Sequence, residues 1–553
     1  MSRFTRRGDP VTPPNRNRGL QSNQSSPYRG SPKSNAETTS SPQTRHLLGI
    51  DPMDIDDGDF VSGVPVSGTA SAATTLASTS KPLPDLLHLP DELKLMVIGN
   101  LEPQSKTTFN LALTVKELKW MAMRQHWSII GTKNESALTR LQAENITTQQ
   151  NYVGLIQDLT IRTDLPVDFS QCRFNSLQKL VVRAPDESAF DLDLSTFLGP
   201  NLTDINLKLN LNRQDPCIIN FLPVMNRSPS LKSIQFGLPF HNTHTHHLLE
   251  ALESCPRLET VRIHSQSEDL IDEYVWRYLA TNHTLRNFLW TGLVDVPFLD
   301  IALENIPHEQ VLFSNVTHLY LTITSGAAAK LFPHLQNLTS LALVIRDHGD
   351  ILESVARLNN LKNLHIEYDL DTNLTVALLA PLRHMNLIRF VLRQDNRFTL
   401  DGSAIPLSAL PNLFGSHATL ERLEFAWQGS LYFDDNAQDV LWALGRVYPK
   451  VNWCSLTAAS LPSNLEPSNA YQAYLAYPSM WPSLRRLDLW EMIEPDYTDN
   501  YANYCTHFAN QIILHLPNVS KITVAHKKPF CARIRRECSS LGNGKRSSRG
   551  WLD

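Results

Sequence analysis

At 553 residues with 42% apolar side chains, the chain is long enough for several domains or one elongated array, and a folded body is expected. A net charge of −5 is too small to argue for wholesale nucleic-acid binding, and no run of about 18 or more apolar residues offers a membrane span. The seven cysteines (Cys172, Cys217, Cys255, Cys454, Cys505, Cys531 and Cys538) are scattered and odd in number, giving neither a disulfide framework nor a paired CxxC metal pattern. The start, Met1-Ser2-Arg3-Phe4-Thr5-Arg6-Arg7, lacks the apolar stretch of a secretory signal, so a cytoplasmic or nuclear location is the expectation.

Residues 1–82 are rich in Ser, Thr, Pro, Asn and Gly, a composition that buries too little surface to offset chain entropy, so a disordered tail is predicted. Arg3, Arg6, Arg7, Arg16, Arg18, Arg29, Lys33 and Arg45 make its first part basic, and Asp51, Asp54, Asp56, Asp57 and Asp59 make an acidic patch. Thr12, Ser26, Ser31 and Ser41 each precede proline, which fits proline-directed phosphorylation.

A helical module is predicted over 83–130. Pro90 suits the first turn of a helix, Asp91 and Glu92 favour its N-terminal end, and Leu93, Val97 and Leu101 recur every four residues with Leu89 ahead of them. Phe109, Leu111, Ala112 and Leu113 form a second apolar cluster, and Thr114 with Glu117 reads as a capping box opening a third helix. Three helices in about 40 residues bury little surface alone, so such a unit wants a partner. The ordered set Leu89-Pro90-Asp91-Glu92-Leu93, Asn110-Leu111-Ala112-Leu113-Thr114 and Lys116-Glu117-Leu118 resembles an F-box.

The body, 131–526, repeats one pattern: apolar, two residues, apolar, one residue, apolar. Clear copies are Leu177/Leu180/Val182, Leu202/Ile205/Leu207, Leu231/Ile234/Phe236, Leu258/Val261/Ile263, Val316/Leu319/Leu321, Leu338/Leu341/Leu343 and Leu361/Leu364/Ile366. Leu387/Phe390/Leu392, Leu420/Leu423/Phe425, Leu484/Leu487/Leu489 and Val519/Ile522/Val524 follow. Weaker copies sit at Ile156/Leu159/Ile161, Leu285/Phe288/Trp290 and Val451/Cys454/Leu456. Roughly fourteen units recur every 21 to 35 residues or so, each predicting a short strand with one buried face. Helix-like segments lie between them, at 246–254, 273–280, 435–447 and 501–516.

Strand, turn, helix, turn is the unit of a solenoid, and the body resembles leucine-rich-repeat proteins over about 370 residues. The fold class expected is α/β: an irregular arc of short parallel strands and helices behind a three-helix module. Another α/β sheet topology stays open. The family's usual Asn or Cys, three residues after the third apolar position, is present at Asn210 but replaced by Pro185, Pro239, Gln266, Arg346 and Asp369 elsewhere. That polar ladder is therefore expected to be mostly absent and the array looser after residue 387. The Asn-x-Ser/Thr sequences at Asn201, Asn315 and Asn337 read as repeat-position asparagines.

Residues alternating with the triplets should face outward from the sheet: His318 and Tyr320, Asn363, His365 and Glu367, Arg389 and Arg393, Arg422 and Glu424. Trp453, Arg486, Asp488 and Trp490 form the patch most suited to a partner, because Trp and Arg dominate interface energetics. No phosphate loop, HExxH or GxSxG motif occurs, and no cofactor is expected. His241, His244, His246 and His247, followed by Glu250, form the one metal-like cluster, read as a solvated turn, so no metal site is assigned. The tail 527–553 is basic and predicted disordered.

The combination of the two resemblances implies a non-catalytic substrate-recognition subunit of an SCF-type cullin–RING ubiquitin ligase. Leu89, Pro90, Leu93, Val97 and Leu101 would face a Skp-family linker subunit joined to the cullin scaffold, while the repeats hold a protein substrate. The mechanism implied is proximity. An interaction scaffold whose F-box-like unit only caps the array is the alternative reading.

Overall fold

In a computed structural model, residues 89–103, 105–132, 135–162, 168–183, 193–208, 221–237, 245–264, 271–304, 306–307, 310–394, 400–401, 405, 413, 419–426, 444–445, 447–459, 481–492, 516 and 518–524 are described. Both tails, the helices expected over 501–516 and most of 435–447, and Asn210 lie outside the described residues.

Three helices open the described chain: α1 (Asp91–Gly99), α2 (Lys106–Thr114) and α3 (Lys119–Trp127). Pro90 stands one position ahead of α1 rather than inside it, and its carbonyl accepts from the Leu93 and Lys94 N–H groups. Asp91 and Glu92 occupy the first turn, where the positive end of the helix dipole favours them. Two local expectations fail. Leu101 lies beyond the end of α1, so it is not part of that helix's stripe. The Thr114/Glu117 capping box does not form: Thr114 is the last residue of α2 and its hydroxyl donates back to the Asn110 carbonyl. A 3-10 turn, Lys116–Leu118, then leads into α3. The cap that does form is Ser105 on α2, accepting from the Thr108 N–H at 3.2 Å. On α3, Gln125 donates to the Gly99 and Leu101 carbonyls and so clasps the end of α1.

Strand β1 (Ile129–Ile130) follows directly and already belongs to the sheet, so the sheet begins inside the span assigned to the module. Two short helices, α4 (Glu135–Gln142) and α5 (Ile146–Val153), precede β2 (Asp158–Arg162). The sheet continues through β3 (Lys179–Arg183), β4 (Asp204–Lys208), β5 (Ser233–Gly237), β6 (Thr260–His264) and β7 (Asn287–Val294). It runs on through β8 (His318–Ile323), β9 (Ser340–Ile345), β10 (Asn363–Tyr368), β12 (Arg389–Gln394) and β14 (Arg422–Ala426). Strands β15 (Trp453–Ala459), β16 (Arg486–Met492) and β17 (Lys521–Val524) complete it. A separate parallel pair, β11 (Thr372–Asn373) with β13 (Leu400–Asp401), lies in the connections.

Among the described residues, the 15 strands of the main sheet are all parallel and stack in chain order, the topology of a solenoid-like α/β array. The repeat pattern explains why. Leu159, Leu180, Ile205, Ile234, Val261 and Phe288 pair rung to rung, and the row continues through Leu319, Leu341, Leu364, Phe390, Leu423, Cys454, Leu487 and Ile522. These are the middle positions of the triplets, so the weak copies at 156–161, 285–290 and 451–456 are full members. The sheet keeps its register through β17, so its strand pairing does not loosen after residue 387. Because side chains alternate along a strand, one face of this register is continuously apolar.

Helices and 3-10 turns close the core over that face. The segments expected at 246–254 and 273–280 appear as Thr245–Glu253 and Glu273–Thr281, burying Leu248, Leu252, Val275, Trp276 and Leu279. Several other connections are 3-10 turns, such as Leu194–Phe197 and Leu222–Arg227. The densest packing is aromatic. Fully buried Trp276 lies 5.3 to 5.7 Å from the rings of Phe288, Trp290, Phe298 and Phe313. The register of β7 shifts between Trp290 and Leu293, and a Cβ on Gly292 would meet the Trp290 indole at 2.5 Å. Only glycine fits that approach.

A polar ladder does run along the array, at another position from the one expected. Asn201, Asn315, Asn337, Asn360 and Asn518 each sit just before the first apolar residue of a triplet and donate to a carbonyl of the preceding unit, at 2.6 to 2.8 Å. Thr203, Thr284, Thr339 and Thr419 hydroxyls donate similarly from the strand entries. The asparagine bonds give partners to turn carbonyls, while the Thr203 and Thr339 hydroxyls share carbonyls that already accept from the backbone of their own strand entry. Asn201, Asn315 and Asn337 are therefore the repeat-position asparagines that the sequence indicated.

Candidate partner-binding surfaces

Two surfaces answer to the residues singled out in the sequence. The first is on the three helices. Ile98 is the buried residue of α1, while Ala112, Leu118 and Ala122 are buried on α2, the turn and α3. Leu93 (42%) and Val97 (44%) are exposed on the other side of α1, Pro90 is exposed, and Leu89 and Leu101 are half-buried. Helical spacing puts Met96, 62% exposed, on the same face as Leu93 and Val97. Phe109, Leu113 and Trp120 add further open apolar side chains on α2 and α3. Most exposed large apolar residues among the described residues lie on these three helices. The face expected to meet a linker is thus open, and Met96 extends it. Its signal was present in the sequence as the i, i+3 partner of Leu93.

The module is held to the array by a run of rings. Phe109 and His126 are 5.5 Å apart, and Trp127 meets Tyr152 of α5 at 4.9 Å. Burial lowers the His126 pKa, favouring the neutral ring that packs there.

The second surface is the sheet face opposite the core, from β10 to β16. The alternation is as expected, but facing away from the core does not mean open to solvent. Tyr320 is buried, and so are the carboxylates of Glu424 and Asp488. Glu424 is gripped by Arg393, whose Nη2 donates at 2.6 Å, and by Arg422 at 3.1 Å. Burial works against its charge, yet Arg393 and Arg422 outweigh that and hold its pKa below the ordinary carboxylate range. Burial and the neighbouring Arg389 bring Arg422 down to about 10. His365 faces the same group; burial first, then Arg393, push its pKa to about 3, so the imidazole is neutral.

Beside it, strands β14 and β16 flank β15, and their arginines close on its tryptophan. The Arg422 guanidinium lies 3.2 Å from the Trp453 ring centroid and Arg486 lies 4.1 Å from it. Asp488 accepts from Trp453 Nε1 at 2.7 Å and from Arg486 Nε at 2.8 Å. Trp453, Arg486 and Asp488 thus come together as the sequence suggested, while the Trp490 side chain lies outside the described residues. Asp488 has a different part from the one expected: it is covered and positions its neighbours instead of facing a partner. What remains presentable is half-buried Trp453 and the Arg486 side chain, 37% exposed. Sequence reasoning missed that Glu424 is the hub of this network. Its alternation was legible, its grip by Arg393 and Arg422 required the register.

His246 and His247 both reach Glu250, at 3.2 and 3.7 Å, while His241 and His244 lie outside the described residues. Among the described residues no group of three or more His, Cys, Asp or Glu could hold a metal ion, and no helix is long and apolar enough to cross a membrane. Cys172, Cys255 and Cys454 are buried, with thiol pKa values raised chiefly by burial. No model of a known protein family matches the chain, and no curated protein matches it.

Proposed function

We propose that the chain is a non-catalytic adaptor: an F-box-like module that docks on a Skp-family linker of a cullin–RING ubiquitin ligase, and a leucine-rich-repeat-like array that holds a protein substrate. The observation that carries this reading is the open apolar face of α1. A helix that leaves Leu93, Met96 and Val97 in water, with Ile98 as its buried anchor, gains stability when another chain covers that face. The array supports the second half, since a long sheet with a polar, arginine- and tryptophan-bearing face is a surface for binding a macromolecule. Catalysis is supplied by the rest of the assembly, so the chain contributes proximity. A cytoplasmic or nuclear location belongs to this reading.

The test is capture of a purified Skp-family linker by the full chain. Leu93→Asp combined with Val97→Asp should abolish capture while the far-ultraviolet circular dichroism of the array is unchanged. Capture by the double variant at the level of the unaltered chain would remove α1 as the contact face.

A further inference from the structure

Along the edge where the strands begin runs a groove of about 500 Å³, and its occupant is legible from its charges. Arg286 stands at the entry of β7 and Lys362 at the entry of β10; between them lie Thr317 and Thr339, with the ladder amides of Asn315, Asn337 and Asn360. Both cations are exposed, and among the described residues neither has an ion-pair partner and no carboxylate lines the groove. The next acidic residue in this row of strand entries, Glu259, faces Lys232 at 3.9 Å. This contrasts with Glu424, whose carboxylate is held within the sheet by Arg393 and Arg422.

The spacing selects the ligand. Arg286 and Lys362 are three rungs apart, so about 14 Å at a rung spacing of about 4.8 Å. A ligand carrying a separate charge for each cation matches that span better than one small anion. In an extended peptide, residues four apart are separated by about 13 Å, within side-chain reach of the two cations. Each ladder asparagine uses one amide N–H on its neighbour's carbonyl, which leaves a second N–H and the amide oxygen for a peptide backbone. A nucleic acid strand fits less well: the lining holds no aromatic ring for a base to stack on, and the chain carries a net charge of −5.

We propose that this groove binds an extended acidic peptide segment, with two carboxylates four residues apart pairing with Arg286 and Lys362. The inference rests on the reading that the array holds a protein substrate, and it names the chemistry of the segment held. It does not depend on the linker.

The experiment is fluorescence anisotropy of the full chain with labelled peptides of about ten residues, built from Gly, Ser and Ala with two aspartates. Binding should be strongest with the aspartates four apart, fall about tenfold with Arg286→Gln or Lys362→Gln, and fall further with charge reversal, Arg286→Glu or Lys362→Glu. Equal binding of a peptide carrying asparagine in place of both aspartates would overturn the proposal, as would indifference to the substitutions at 286 and 362. Tighter binding of an oligouridylate than of any peptide would overturn it in favour of RNA. Linker capture, measured on the same variants, separates the two readings. Loss of peptide binding with capture intact in the unaltered chain defeats the groove alone; failure of capture with peptide binding intact defeats the linker assignment alone.

Discussion

Leu180, Leu207, Phe236 and Leu258 in the array are at most 1% exposed, whereas Leu93, Met96 and Val97 of α1 are 42 to 62% exposed. Both sets are apolar residues at regular spacing, and spacing alone would assign both to a core. The difference lies in what the chain supplies to cover them. Among the described residues, the inner rungs of the array each have a rung on either side, and helices or turns cover many of them, so their triplets are closed by neighbours of the same kind. The three helices of the module have each other and the ring contact to α5, enough to bury the apolar side chains of Ile98, Ala112, Leu118 and Ala122 while the α1 face stays open. Regular apolar spacing therefore marks burial, and whether the burying partner is in the same chain is a separate question.

The comparison breaks most sharply at Trp276. Deleting this indole removes contacts to four rings, two on β7 and two in the connection that follows it, and the surrounding shell of Phe288, Trp290, Phe298 and Phe313 is too crowded to collapse into the space. Trp276→Ala should cost about 3–5 kcal/mol. Urea denaturation followed by circular dichroism would measure it, and a cost below about 1 kcal/mol would contradict the packing described. The paired experiment is the α1 double variant, which should leave the same transition in place. If both variants shift the transition alike, array and module are one cooperative unit and the contrast drawn above fails.

Within the array, the Glu424 network sharpens the contrast, since it is closed by charge where the rest is closed by apolar contact. Glu424→Gln leaves Arg393 and Arg422 without their shared counter-charge and should cost about 3–5 kcal/mol at neutral pH. The pH dependence has two stages with distinct origins. The folded-state pKa of His365, about 3, lies below its ordinary 6.5, so its contribution is complete above pH 6.5 and is lost as pH falls toward 3. Glu424 is likewise depressed below 4.5, so its contribution is present above that value and declines only on further acidification. Thermal melts from pH 7 to pH 3 should therefore show His365→Gln flattening the loss that begins below 6.5. Glu424→Gln should lose its disadvantage only below 4.5. A His365→Gln profile parallel to that of the unaltered chain would show that the imidazole does not titrate as its surroundings dictate.

The rungs were legible in the sequence because the triplet sets a strand, its buried face and its register in one stroke, and even Cys454 in the weak copy at 451–456 pairs in line with Leu423 and Leu487. The helix starts were less so. Thr114 and Glu117 have the spacing of a capping box, yet the Thr114 hydroxyl found a carbonyl inside α2, a competition that spacing does not reveal. The candidate surface was half legible. Alternation put Trp453, Arg486 and Asp488 on one face, but whether a carboxylate there is free or already gripped depends on side chains one rung away, 31 to 35 residues distant in the chain. Separation along the chain likewise hid the groove between Arg286 and Lys362, where four units contribute to one cavity.

The smallest effect concerns the asparagine ladder, and it separates a scaffold role from incidental polarity. Asn337 is exposed and donates to the Ser314 carbonyl at 2.6 Å, one rung back. Removing the amide costs one hydrogen bond at the surface, where water takes over the carbonyl, so Asn337→Ala should destabilise by about 1 kcal/mol. Asn337→Asp should cost at least as much, because a carboxylate cannot donate to that carbonyl. The position separates ladder from groove as well: the aspartate also places a negative charge between Arg286 and Lys362, so it should weaken the acidic peptide more than the alanine does while the two variants stay close in stability. If alanine and aspartate affect peptide binding alike, the amide matters to the ladder and the charge of the groove does not choose the ligand.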